Sequence, residues 1–366
     1  MSLRIYTPGH GLFLDSLIMY GLASALNEGN FEYRVIGSAQ AFELSVEGAS
    51  ASDVTNLIAY VVEKCKEDVV KLLADDLRLV QREVSNKLRA FLSEAATSDK
   101  VEKLLRTYSV PGHARDEGRE ARGKQHVWLP FYPHIGKYFT GEFKYKSKEY
   151  GVCPFCIALA SLGFFKAALP IRYPPPGITS NVVILSFEGQ VSGDVLNRMM
   201  SYVKSPEFVQ EVLERRSLHR AARILPLTVF NRVLLAFFSA ELLKALYEAA
   251  ASWTALSATF DVVKGGVVQV RGYEEMSIDR YLSSLVRLIE ADERRSRKAS
   301  PLNRLQVLTE QLLKEGKEDP ASLEALYRFL ISRTPSDLYT ASRQVVKRLG
   351  EGFGKDFCEE LACLIQ

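Results

Sequence analysis

The sequence predicts an α+β fold, with an N-terminal β-α-β-β unit and a mixed or antiparallel sheet with helices, followed by a C-terminal helical bundle. Three observations predict it. Residues 4–46 alternate between extended and helical patterns, the run NVVILSF at 181–187 is typical of a buried strand, and only helical spacing remains after Ile278. The predicted domains are 1–274, an α+β domain with a basic-aromatic insertion at about 110–150, and 275–366, the helical bundle.

The opening unit follows from local patterns. A short extended run at 4–6 is broken by proline and glycine, and 12–26 is apolar around most of a helical circumference. Gly29 and Asn30 are typical of a helix end. Two extended runs follow at 33–36 and 42–46, and the second alternates apolar and polar residues, which predicts a strand with one buried face.

The later elements alternate in the same way. Apolar residues at helical spacing predict helices over 54–73, 77–92, 153–168 and 193–203. A single core helix is predicted over 225–251. A Gly-Gly turn between β-rich runs then predicts a hairpin of 254–263 with 267–272. The C-terminal helices are predicted to break at Pro301, Pro320 and Pro335.

The composition is that of an ordinary globular protein. Of the 366 residues, 47% are hydrophobic and 25% are charged, which excludes wholesale disorder. Five cysteines are too few for a secreted disulfide scaffold. The most apolar helical stretch contains Arg232, Glu241 and Lys244, and the first residues lack an apolar signal core. We expect a cytoplasmic protein with no membrane contact.

The strongest local signal is a segment rich in basic and aromatic residues. Between His113 and Arg172 the chain has ten basic and five acidic residues, whereas its total net charge is +3. If the run FKYKSK is extended, its lysines share one face and its rings the other, which suits a strand that contacts phosphates. The alternative is a solvated lysine edge that prevents strand aggregation. The predicted nucleic-acid-binding residues are Lys144, Lys146 and Lys148, with Lys137, Arg119 and Arg122 as weaker candidates.

A CxxC motif, Cys153-Pro154-Phe155-Cys156, lies where a loop meets the next predicted helix. Two thiols three residues apart occur in zinc sites, in redox pairs and as buried apolar side chains. A structural zinc ion needs two more ligands, and the nearby candidates in the sequence are His126 and His134. Zinc at Cys153 and Cys156 is therefore one of three alternatives.

Motifs of catalysis are mostly missing. We find no nucleophile elbow, zinc-protease helix or complete phosphate loop, so the sequence favours a non-catalytic protein. Amides of Gly9-His10-Gly11 could bind a phosphate at the start of a helix. For a metal-dependent enzyme acting on nucleic acid, the candidates would be Asp15, His10 and Glu43. Further basic clusters lie at 215–223 and 294–298.

Three stretches together resemble a known family. They are YTPGHGLFLDSLIMYGLASAL near the N-terminus, HIGKYFTGEFKYKSKEYGVCPFCIALASLGF across the CxxC motif, and VVILSFEG in the predicted buried strand. The sequence resembles the Csa-type large subunit of archaeal type I-A CRISPR interference (Cascade) complexes. The likeness covers about the first half of the chain.

The resemblance implies a non-catalytic subunit that contacts guide RNA and target DNA near the flanking motif. It implies partners in antiviral defence: backbone and small subunits of the complex, and a separately recruited helicase-nuclease. The lysines at 144, 146 and 148 would carry the nucleic-acid contact, and the family's cysteine pair maps onto Cys153 and Cys156. Two alternatives stay open, namely a metal-dependent enzyme acting on nucleic acid and a protein-only scaffold with acidic partners.

Overall fold

The structure is a computed structural model of the chain. It describes most of the protein, with gaps that fall mainly between 114 and 150. The described residues are 2–39, 41–113, 125–126, 129–131, 133, 151–172, 178–214, 216–263, 266–295, 301–315, 320–353, 357 and 361–365.

The chain forms two compact units, and each is built from two separate stretches. The first unit comprises Met1–Ser205 and Ala249–Glu275, and the second comprises Pro206–Glu248 and Met276–Gln366. The sequence division at 274/275 placed 206–248 with the first domain, whereas here these residues group with the C-terminal helices. Two hydrogen bonds show why: Tyr281 donates to the carbonyl of Arg232 at 2.9 Å, and Gln306 donates to that of Ala236 at 2.8 Å.

The first unit is built around an antiparallel sheet, and the predicted α+β class is confirmed. In the described residues the sheet has seven strands: β1 Ser2–Tyr6, β2 Tyr33–Gly37, β3 Phe42–Glu47, β6 Leu169–Arg172, β7 Ile178–Ser192, β8 Ala250–Val262 and β9 Val268–Ser277. Their order is β1-β3-β2-β7-β8-β9, with β6 paired to β7 as well. Strands β2 and β6 pair with opposite ends of β7. A separate two-stranded ladder pairs β4, Gln125–His126, with β5, Gly151–Val152.

Helices of the first unit pack on this sheet around one central helix, α1 Leu12–Glu28. The others are α2 Ala51–Val70, α3 Arg82–Ala95, α4 Ser98–Leu105, α5 Pro154–Ala167 and α6 Gly193–Val203. The chain order β1, α1, β2, β3 confirms the predicted β-α-β-β opening. Helix α1 is buried from residue 13 to residue 26, and the Tyr20 hydroxyl donates to the Leu185 carbonyl of β7 at 2.6 Å. A mostly apolar helix therefore forms the core between the sheet and the other helices.

Helices α1 and α5 cross at two glycines. A Cβ atom on Gly163 would lie 1.8 Å from the carbonyl oxygen of Leu17, and one on Gly21 would lie 2.3 Å from that of Leu159. No real Cβ atom approaches a backbone oxygen so closely, so only glycine allows these two backbones to touch. The crossing fixes the position of α5, which begins at the CxxC motif.

The second unit is helical. Its longer helices are α7 Arg216–Ile224, α8 Leu227–Leu235, α9 Ala240–Glu248, α10 Asp279–Arg295, α11 Pro301–Glu315, α12 Ala321–Ser332 and α13 Pro335–Leu349. The single helix predicted over 225–251 is wrong. Helix α8 ends at Leu235, and the Ser239 hydroxyl accepts from the amide of Leu242, which starts α9 as an N-cap. Residues from Ala250 onward already belong to β8, and the pairing of β8 with β9 confirms the predicted hairpin.

Candidate functional site

The predicted nucleic-acid-binding residues lie outside the described part of the chain. These are Lys137, Lys144, Lys146, Lys148, Arg119 and Arg122, and their assignment stays a prediction. Their flanks are described. Gln125 pairs with Val152, and His126 pairs with Gly151, so the two ends of 127–150 lie side by side. The CxxC motif follows β5 directly in the chain and therefore lies next to this ladder.

The CxxC motif forms the first turn of α5. Cys153 is the N-cap residue, Pro154 occupies the first helical turn, and the amide of Cys156 donates to the Sγ atom of Cys153 at 3.3 Å. The two Sγ atoms lie 3.1 Å apart. Neither cysteine forms a disulfide and both are buried, with 5% of Cys153 and none of Cys156 exposed. The turn thus holds two sulfur atoms close together and shielded from water.

A third potential ligand joins the pair. One ligand nitrogen of His113 and the sulfur atoms of Cys153 and Cys156 all lie within 4.8 Å of one another. The sequence analysis missed His113 and favoured His126 and His134 instead. His126 belongs to β4, although its side chain lies outside the described residues, and His134 lies outside them entirely.

Electrostatics at the cluster favour an ionised thiol at Cys153. The hydrogen bond from Cys156 is the largest cause that lowers the pKa of Cys153, to about 5, and His113 contributes in the same direction against the effect of burial. The start of α5 also directs the amide of Cys156 toward this sulfur, which favours a negative charge.

Tyr108 contacts the cluster through both Cys156 and His113. Its hydroxyl lies 3.0 Å from the Cys156 sulfur, and its buried ring meets the ring of Phe155 edge-on at 5.5 Å. The rings of Tyr108 and His113 are also 5.5 Å apart. Burial, together with the neighbouring thiols, raises the pKa of Tyr108 well above its usual value, so its hydroxyl stays neutral.

The turn that precedes α1 has a structural carboxylate at its centre. Asp15 is fully buried and accepts the amides of Gly9 at 2.8 Å and of Gly11 at 2.9 Å. Both glycines have positive φ angles, of 86° and 128°, which favour glycine at these positions. Burial raises the pKa of Asp15 to about 6, although hydrogen bonds from Gly9, Thr7 and other groups act in the opposite direction.

This carboxylate corrects one sequence prediction. The expectation that the amides of Gly9-His10-Gly11 bind a phosphate is wrong for Gly9 and Gly11, because Asp15 already accepts both of their hydrogens. The other residues considered for an enzyme have visible contacts as well. The ring of His10 lies 6.5 Å from that of His113, and the Glu43 carboxylate lies 3.6 Å from Arg4.

The remaining basic clusters are described in part. Arg223 is exposed at the end of α7. The side chains of Arg216, Arg220 and Arg294, and all of 296–298, lie outside the described residues, so these clusters also stay predictions.

Comparison with known families assigns the chain. It matches the family described as CRISPR-associated protein (Cas_Csa4) over residues 3–352. The chain belongs to this family. The match of this Cas_Csa4 chain covers nearly all of both units and includes the basic-aromatic segment, the Asp15 turn, His113 and the CxxC motif. A search of curated proteins found no match.

Family membership supports the CRISPR part of the sequence resemblance and a role in CRISPR defence. Among the described residues of this Cas_Csa4 chain, no helix is long and apolar enough to cross a bilayer.

Proposed function

We propose that this CRISPR-associated chain is the non-catalytic, nucleic-acid-binding large subunit of a type I-A interference complex. The observation that carries the proposal is the family match over residues 3–352. In this role the chain contacts guide RNA and target DNA near the flanking motif. Its protein partners are the backbone and small subunits, and a separate helicase-nuclease supplies the chemistry of cleavage.

Two features of the chain support nucleic-acid contact by the segment between β4 and β5. The segment combines positive charge with aromatic rings, and these side chains neutralise phosphates and stack on bases. The β4–β5 ladder also brings the two ends of 127–150 together. The lysines at 144, 146 and 148 lie in the chain between these two paired strands.

The experiment is a salt titration of DNA and RNA binding by the full chain. In the triple variant Lys144→Ala, Lys146→Ala, Lys148→Ala, three phosphate contacts are lost. The negative slope of log K against log salt should therefore become shallower by about 2–3. The matched control is the triple variant Lys64→Ala, Lys66→Ala, Lys100→Ala. It removes the same charge from three lysines that pair with glutamates on helices of the first unit.

The expected result is weaker binding with a flatter slope in the first variant and near-normal binding in the control. Equal binding by both variants at every salt concentration would contradict the assignment of the three lysines. The same preparations also test catalysis, by incubation with labelled DNA and RNA and either Mg²⁺ or Mn²⁺. Turnover by the purified chain would favour the alternative of a metal-dependent enzyme over a non-catalytic subunit.

A further inference from the structure

The buried cluster of His113, Cys153 and Cys156 has a donor set that suits one class of metal ion. Two thiolates and an imidazole are soft and borderline ligands, which select zinc over magnesium or calcium. The three ligand atoms already lie within 4.8 Å of one another. We propose that these residues bind a zinc ion that connects the parts of the chain on either side of residues 114–150.

Zinc ligation requires a smaller movement of the two sulfur atoms than a disulfide does. Two sulfur ligands at about 2.3 Å from a tetrahedral zinc ion lie about 3.8 Å apart. The observed separation of 3.1 Å therefore has to increase by about 0.7 Å, shared between two side chains. A disulfide requires the same atoms to close to about 2.05 Å, which is a larger change.

The surroundings of the cluster supply hydrogen bonds of the kind that support zinc-bound thiolates. The amide of Cys156 donates to Cys153, and the Tyr108 hydroxyl lies 3.0 Å from the Cys156 sulfur. Such contacts orient the ligands and stabilise their charge. Three protein ligands leave the fourth coordination position of a tetrahedral zinc ion for a further ligand.

Chain order gives the site its role. His113 immediately precedes residues 114–124, and Cys153 follows β5, which pairs with β4. A zinc ion shared by His113 and the CxxC motif would therefore connect the parts of the chain that precede and follow the basic-aromatic segment. This inference concerns metal binding and does not depend on the proposed nucleic-acid contact.

The test is elemental analysis of the full chain purified under reducing conditions. We expect about one zinc ion per chain, and no zinc in the double variant Cys153→Ser, Cys156→Ser. We also expect His113→Gln to lower zinc affinity by about 100-fold or more, since even outer partners of a ligand contribute about 10–100-fold. Cys363→Ser is the matched control, because Cys363 lies outside the cluster, and it should retain zinc.

Cobalt substitution of the wild-type chain tests the same site without a change in sequence. Thiolate ligation should give a sulfur-to-cobalt charge-transfer band in the near ultraviolet, together with strong visible bands typical of tetrahedral cobalt. The proposal is overturned if the wild-type chain holds no zinc and shows no such band. Zinc that persists in the double serine variant would also overturn it. A wild-type chain that is purified without metal and has three free thiols rather than five would overturn it as well, because two lost thiols indicate a disulfide.

Discussion

Replacement of Gly163 by alanine tests the close crossing of α1 and α5 that places the CxxC motif. The new Cβ atom would lie 1.8 Å from the Leu17 carbonyl oxygen, where contacts shorter than 3.0 Å essentially never occur. The helices must therefore separate by about 1.2 Å. Leu17 contributes backbone rather than a flexible side chain, so rotation of a side chain cannot relieve the clash.

The magnitude follows from two opposing effects. Overpacking of a core costs about 1–3 kcal/mol, and a backbone clash belongs at the upper end of that range. Alanine is better than glycine in a helix by about 1 kcal/mol. The net loss in the free energy of unfolding is about 2 kcal/mol, which lowers the melting temperature of a unit of this size by about 4–8 °C.

Thermal and urea unfolding of the purified variant would measure this loss. Gly352→Ala is the matched control, because Gly352 is helical and a Cβ atom there meets nothing within 4 Å. The control should be unchanged or more stable by up to about 1 kcal/mol. If Gly163→Ala is as stable as Gly352→Ala, the two helices do not touch through their backbones and the packing argument fails.

Three further predictions concern the Asp15 turn and the thiol cluster. Asp15→Ala should lower the free energy of unfolding by about 2–4 kcal/mol in urea titrations, because the amides of Gly9 and Gly11 lose their acceptor; a neutral result would mean that the turn holds without it. Burial raises the pKa of Asp15 from 3.8 to about 6, so between pH 3.8 and pH 6 the folded chain binds more protons than the unfolded chain. The free energy of unfolding should therefore fall by up to about 3 kcal/mol as the pH rises through this window. Urea titrations at several pH values should show this slope, and its persistence in Asp15→Asn would assign it to another group. Tyr108→Phe removes the hydroxyl beside Cys156 and should weaken zinc binding by about tenfold in chelator competition, whereas unchanged affinity would exclude support from that hydroxyl.

The sequence predicts the parts of the fold that depend on local pattern. The β-α-β-β opening, the buried strand at the centre of the sheet and the hairpin after 250 follow from periodicity and from glycine turns. The break between α8 and α9 does not, because apolar residues continue across it. Ser239 caps the start of α9, and a single serine within an apolar run is a weak signal of a new helix.

The candidate metal site shows a different limit. The CxxC spacing is visible in the sequence, and it identifies two of the three ligand residues. His113 lies 40 residues before Cys153, so no spacing rule connects them, and only the packing of α5 beside the 3₁₀ turn at Arg106–Tyr108 places them together. Asp15 shows the reverse case: an acid after a glycine turn suggested chemistry, and its burial beneath two amides shows a structural role.

Ultraviolet cross-linking of the full chain to guide RNA and target DNA, followed by peptide mapping, tests the central claim most directly. Aromatic rings that stack on bases cross-link efficiently, and the segment between β4 and β5 contains Tyr138, Phe139 and Tyr145. We expect the cross-linked peptides to fall within 127–150. Cross-links confined to other parts of the chain, or none to either nucleic acid, would contradict the account.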